Sequence, residues 1–188
     1  MNAPVLTPGG RIDEKQPVKP VRIAVLTISD TRDEESDTSG HVLAERVKAA
    51  GHELVDKAIC KDSVVEIREK IEGWVASGYV EAIITTGGTG ITGRDVTPEA
   101  VEPLFDKKLD GFSIIFHLVS YQSVGLSTLQ SRATAGIVKG VFVFCLPLTA
   151  SSRPRRGRPP ARLRRFRRPC RSAGCPDLRP VPAFPSWP

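Results

Sequence analysis

The chain has 188 residues, enough for one domain with a real core, and its 40% hydrophobic content is ordinary for a globular protein. No unbroken apolar run approaches the roughly 20 residues of a membrane span, so no membrane association is expected. The net charge of +6 divides unevenly: eleven arginines against one acid, Asp177, give +10 from Arg153 onward and leave −4 for the rest, so nucleic acid is not an expected partner of the body.

Residues 1–20, "MNAPVLTPGGRIDEKQPVKP", lack the apolar stretch of a signal peptide and read as a flexible arm, which makes the cytoplasm the expected compartment. "VRIAVLTIS", Val21 to Ser29, is rich in β-branched residues and reads as a strand buried on both faces. In "DTSGHVLAERVKAAGHE", Val42, Leu43, Val47 and Ala50 recur at helical spacing; Asp37 or Ser39 caps the start and Gly51 ends the helix. "ELVDKAIC" is a second strand. "DSVVEIREKIEGWVASG" is a second amphipathic helix, capped by Asp62 or Ser63. "VEAIITT" is a third buried strand. "TPEAVEPLF" opens a helix with Thr97 as N-cap, Pro98 at the first helical position and Glu99 near the positive end of the dipole. "GFSIIFHLVSYQS" is a further helix, apolar on more than one side, and "GVFVFCLP" a last buried strand. Cys60 and Cys145 end apolar runs and read as small core residues; Cys170 and Cys175 have a spacing that fits no common zinc pattern. Strands alternating with helices imply an α/β fold, a mostly parallel sheet with helices on both faces, over residues 21–147.

In such sheets ligands sit at the carboxyl ends of the strands, which gathers the polar residues there. Gly87, Gly88, Thr89 and Gly90 end the third strand. Glycines let backbone N–H groups approach a phosphate and form an anion nest; the alternative is a tight turn with no ligand. The spacing is neither a Walker A loop nor the dinucleotide fingerprint. Asp95 reads as a Mg²⁺ ligand beside bound phosphates or as a helix-start carboxylate, and Asp62 as a metal ligand or an N-cap. Two carboxylates facing one phosphate loop are how Mg²⁺ is commonly held. Ser29 and Asp30 either bind a polar ligand or form a local turn. Ser131 and Arg132 lie in a polar stretch, where Arg132 is a candidate for a bidentate phosphate contact or a solvated arginine. His41, His52 and His117 have no partner at ligand spacing and are not expected to be catalytic.

These residues resemble the MoaB/Mog family of molybdenum cofactor biosynthesis, through "RIAVLTISDTR", "DTSG", "ITTGGTGITGRDVTPEA", the "GF" at Gly111-Phe112, "STLQSRA" and "FCLP". "DEESDTSG" and "STLQSRA" are closer to the MoaB branch. The resemblance implies a three-layer α/β sandwich, a homo-trimer or hexamer, and binding of molybdopterin, a pterin dithiolene bearing a phosphate. In adenylating members, ATP transfers AMP to that phosphate with Mg²⁺. By position, Asp95 and Asp62 match the two essential aspartates, and Gly87 to Gly90 the phosphate-cradling loop. In-line phosphoryl chemistry needs positioning and charge neutralisation, which such a loop with two carboxylates supplies.

The resemblance breaks after Pro147. The family continues into Pro-Gly-Ser/Asn-Pro and a helix lying on the sheet, whereas this chain continues "LTASSRPRRGRPPARLRR". Residues 148–188 read as an Arg/Pro-rich disordered tail of the kind a reading-frame shift in GC-rich DNA produces. The expected activity is molybdopterin adenylylation; the alternatives are a molybdopterin-binding scaffold without turnover, and a nucleic-acid-associated protein using the arginine tail.

Overall fold

The computed structural model describes residues 19–147. Most of the expected arm, the whole tail 148–188, Cys170 and Cys175 lie outside the described residues. Ten regular elements follow in order: β1 Arg22–Ile28, α1 Thr38–Ala49, β2 Glu53–Cys60, α2 Val64–Ala76, β3 Ala82–Thr86, α3 Thr97–Val101, β4 Lys107–Lys108, α4 Asp110–Val124, β5 Thr134–Val138 and β6 Val141–Leu146. Short 3₁₀ turns follow α3 and α4.

The sheet order is β2-β1-β3-β6-β5-β4. The first four strands run parallel, and β5 and β4 add an antiparallel edge. The expected mostly parallel α/β fold is therefore present, with a wing that hydrophobic runs did not reveal. The polar stretch that carries Ser131 and Arg132 leads directly into a strand, Thr134–Val138, which pairs with β6 across a two-residue turn. Lys139 (φ 47) and Gly140 (φ 88) both sit in the left-handed region, as a type I′ hairpin turn requires.

Alternation along the strands sorts side chains to two faces. Ala24, Leu26, Ile28, Ile83, Val143 and Cys145 pack with Ile67, Ile71 and Trp74 of α2 and Ala100 and Val101 of α3 in the larger cluster. Cys60 and Cys145 are buried, as read. On the other face Ile23, Val25 and Ala82 pack with Val47 of α1. The helix α4 reaches the same face, where Phe112 meets Phe144 at 5.3 Å between ring centroids. On this face Ile84 and Phe144 are partly buried, and Phe142 is 44% exposed.

The "DTSG" segment has a local cause. Asp37, fully buried, caps α1 by accepting from the Gly40 N–H at 2.9 Å and takes a second hydrogen bond from the Thr27 hydroxyl at 2.9 Å. A Cβ on Gly40 would stand 2.1 Å from the Asp37 carboxylate, so only glycine fits. Lys57, 3.3 Å away, supplies the countercharge. Gly51, at φ 80, follows the end of α1 as expected.

The cap position of α2 is Ser63, one of the two expected residues, although its side chain makes no cap hydrogen bond; Asp62 Oδ1 accepts the Val96 N–H instead. Two local expectations are corrected. The cap position of α3 is Val96, and the Thr97 hydroxyl donates to the Gly87 carbonyl instead. α4 with its following 3₁₀ turn forms a 21-residue helical span, Asp110–Gln130, whose most apolar 18-residue stretch has a mean hydropathy of 1.2, long and apolar enough to cross a membrane by length and composition. The polar residues scattered through it hid that length from a search for unbroken runs.

Candidate functional site

The glycine loop leaves β3 at the centre of the sheet. Its four carbonyls, Gly87 to Gly90, are all engaged. The Thr97 hydroxyl donates to the Gly87 carbonyl (3.0 Å) and the Thr97 N–H to that of Gly88 (2.9 Å). The Arg132 N–H donates to the Thr89 carbonyl (2.9 Å) and Arg132 Nε to that of Gly90 (2.7 Å). The N–H groups of Gly88 and Thr89 donate to no described residue. With the carbonyls turned away and held, these amides are the loop's free face, which is the arrangement of an anion nest. Gly87 (φ 107) and Gly88 (φ 60) supply the required conformations.

Both sequence-predicted aspartates lie against this loop. A Cβ on Gly88 would be 2.7 Å from Asp62 Oδ1, and one on Gly90 2.8 Å from Asp95 Oδ2. Asp62 Oδ1 accepts the Val96 N–H (3.1 Å). Asp95 Oδ2 accepts the Thr92 N–H (3.1 Å) and the Thr92 hydroxyl. The second oxygen of each carboxylate has no hydrogen-bond partner among the described residues. Burial pushes the Asp62 carboxyl above the usual range, with the nearby negative charges of Asp95 and Asp30 adding to it. Asp95 is held below the usual range, chiefly by the hydrogen bond from the Thr92 side chain.

The loop residues Gly88, Thr89 and Gly90 line a cavity of ≈ 240 Å³ with Asp95, Ser131, Ser127, Gln130 and Pro147. Ser127 and Gln130 escaped the sequence reading; the polar run "STLQS" was their only signal. Ser29 and Asp30 belong instead to an adjacent cleft of ≈ 470 Å³, lined also by Arg32, Lys57 and Lys61. The Ser29 hydroxyl accepts from the Thr31 N–H (3.3 Å), the local turn that was one of its two readings. Asp30 ties the strand ends together: Oδ1 accepts the Asp62 N–H (3.2 Å), and Oδ2 pairs with Arg94 (2.9 Å). Gly87 lies beneath the site, where a Cβ would stand 2.2 Å from the Ile28 carbonyl. The His117 ring meets the Ser131 carbonyl through Nε2 at 3.0 Å, bracing the segment that presents Ser131 and Arg132. Among the described residues no group of three or more His, Cys, Asp or Glu side chains is placed to hold a metal ion.

Residues 24–152 match the family model described as "Probable molybdopterin binding domain". The chain is 48% identical over 128 residues to the molybdenum cofactor biosynthesis protein B of Escherichia coli K12, a match spanning 68% of this chain and 75% of that protein. Among solved structures, a molybdenum cofactor biosynthesis protein B superposes with a TM-score of 0.69 at 41% identity, covering 73% of this chain and 86% of the other. The tungsten cofactor synthesizing protein MoaB of Pyrococcus furiosus does so with a TM-score of 0.64 at 37% identity, covering 72% and 87%. The fold, the motif-bearing loop and these likenesses agree: the chain belongs to the MoaB/Mog family of molybdenum cofactor biosynthesis proteins.

Proposed function

We propose that the chain binds molybdopterin with its phosphate on the glycine loop and supports adenylylation of that phosphate by ATP and Mg²⁺. The observation that carries this reading is the loop itself: four carbonyls engaged from behind, and the Gly88 and Thr89 amides free in front. Serine side chains complete a polar cavity, with Ser127 and Ser131 on its far wall.

The donor set fits a hydrated divalent cation. Asp62 and Asp95 each keep one carboxylate oxygen free beside the loop, and two carboxylates with substrate phosphates suit Mg²⁺, which retains much of its water. When bound there, the ion would neutralise charge on the phosphates. The protein's own part is positioning: the loop amides orient the acceptor phosphate, and the fixed Thr92 contacts keep Asp95 ionised.

A scaffold that holds molybdopterin without turnover is favoured by one feature: Pro147, which lines the cavity, is followed by Leu148 rather than by the family's Pro-Gly turn. Incubation of the full chain with molybdopterin, Mg²⁺ and ATP separates the two. Pyrophosphate release supports the enzyme; bound molybdopterin without pyrophosphate supports the scaffold; no binding sinks both.

We also propose that the protein works as a homo-trimer or hexamer, because α4 presents Ile114, Ile115, Leu118 and Val119, each at least half exposed, on a monomer's surface.

A further inference from the structure

Arg132 stands where its sequence suggested a hand for the ligand, yet its guanidinium faces inward. Nε donates to the Gly90 carbonyl and Nη2 to the Asp95 carbonyl, both at 2.7 Å. These two N–H groups form the edge that a bidentate phosphate contact uses. On the opposite edge Nη1 pairs with the Glu99 carboxylate of α3. The Arg132 backbone N–H holds the Thr89 carbonyl. One residue therefore fastens three carbonyls, at Thr89, Gly90 and Asp95.

We propose that Arg132 is a positioning residue and not a ligand contact: with Glu99 as counter-ion, it clamps the loop so that the Gly88 and Thr89 amides and the Asp95 carboxylate face one ligand phosphate. The proposal rests on reading the loop as a phosphate site. Glu99, which the sequence offered only as a helix-start charge, becomes part of the site's frame. Lysine cannot replace the clamp, because an ammonium is a point donor and lacks the planar fork that spans two carbonyls and a carboxylate.

The test uses the full chain with inorganic pyrophosphate and Mg²⁺ as the probe. Glu99→Gln is informative because two roles for Arg132 give opposite signs. If Arg132 gripped the phosphate, freeing it from a competing carboxylate and removing a negative charge would tighten pyrophosphate binding. If it clamps the loop, Glu99→Gln weakens binding, by about twofold to fivefold, the range expected for a partly exposed charged pair. Amide hydrogen exchange in the unliganded protein should quicken by a similar factor at Thr97 and Arg132, whose N–H groups close on the loop carbonyls. In the parent protein pyrophosphate should shift the Gly88 and Thr89 amide resonances; in Arg132→Lys those shifts should shrink even with the thermal midpoint near the parent's. Unchanged exchange together with equal or tighter binding in Glu99→Gln overturns the clamp. Quickened exchange in Glu99→Gln, with a parent protein that binds no pyrophosphate, upholds the clamp and removes the phosphate reading instead.

Discussion

Asp62 and Asp95 lean on one loop, but their surroundings pull their proton affinities apart. Asp95 is kept ionised by Thr92, whereas burial and the charges of Asp95 and Asp30 oppose the ionised form of Asp62. For Asp62 the folded pKa is raised, so its contribution to stability is full below the ordinary aspartate range and is lost as pH rises through the raised value. At neutral pH its charge is a liability that a bound cation would relieve. Asp62→Asn keeps an oxygen for the Val96 N–H, so the variant should melt above the parent at pH 7.5, with the gain shrinking toward pH 4. Mg²⁺ with pyrophosphate should raise the parent's midpoint and leave the variant's unmoved. A variant that melts below the parent at pH 7.5 would remove the like-charge argument. Asp95→Asn tests the other member. It should reduce pyrophosphate release from molybdopterin and Mg²⁺-ATP by about 100-fold or more, as loss of a charge-neutralising group does, while molybdopterin binding stays within a few-fold. Turnover close to the parent's would take Asp95 out of the mechanism.

The loop connecting β3 to α3 shows how tightly an element can depend on one missing Cβ. Gly87 combines φ 107 with a backbone oxygen, that of Ile28, 2.2 Å from where a Cβ would be. A flexible side chain could move aside; the end of β1 cannot. Gly87→Ala should therefore cost about 2 kcal/mol or more, read as a lower urea midpoint; an unchanged midpoint would mean the loop is not held as described. This loop was legible in the sequence because its glycines and Asp95 are neighbours in the chain. The strands β1, β2, β3 and β6 and the helices α1, α2 and α4 were legible for a related reason, since each is a long run with one period. What stayed hidden came from distance. Asp30 reaches Arg94 across 64 positions and Arg132 reaches Gly90 across 42, and no local pattern records such pairs. β5 was hidden by its composition: Thr134 and Gly136 break up its apolar run, and the Lys-Gly turn that follows lacks the Asn-Gly signal that marks a type I′ hairpin.

On the scale of the molecule, apolar side chains of the described residues lie exposed in two places on one face of the sheet, along α4 and at Phe142 of β6. The first fits self-association. Leu118→Lys with Ile115→Lys should shift the full chain toward monomer in sedimentation; identical sedimentation before and after would place any interface elsewhere. The second fits a lost cover. We propose that residues from about Leu148 onward arise from a reading-frame shift or sequence error. From Arg153 the chain has eleven arginines, nine prolines and no lysine; its only Leu, Ile, Val or Phe residues are Leu163, Phe166, Leu178, Val181 and Phe184. A basic arm for nucleic acid is the rival account, and it predicts salt-sensitive binding that disappears when the tail is removed. The coding DNA decides between them. A single insertion or deletion near codon 148 should restore a Pro-Gly-Ser/Asn-Pro turn followed by an amphipathic helix, and the restored chain should bind less of a hydrophobic dye and melt at a higher temperature than this one. If no such change restores that reading, the tail is genuine and the frame-shift explanation is finished.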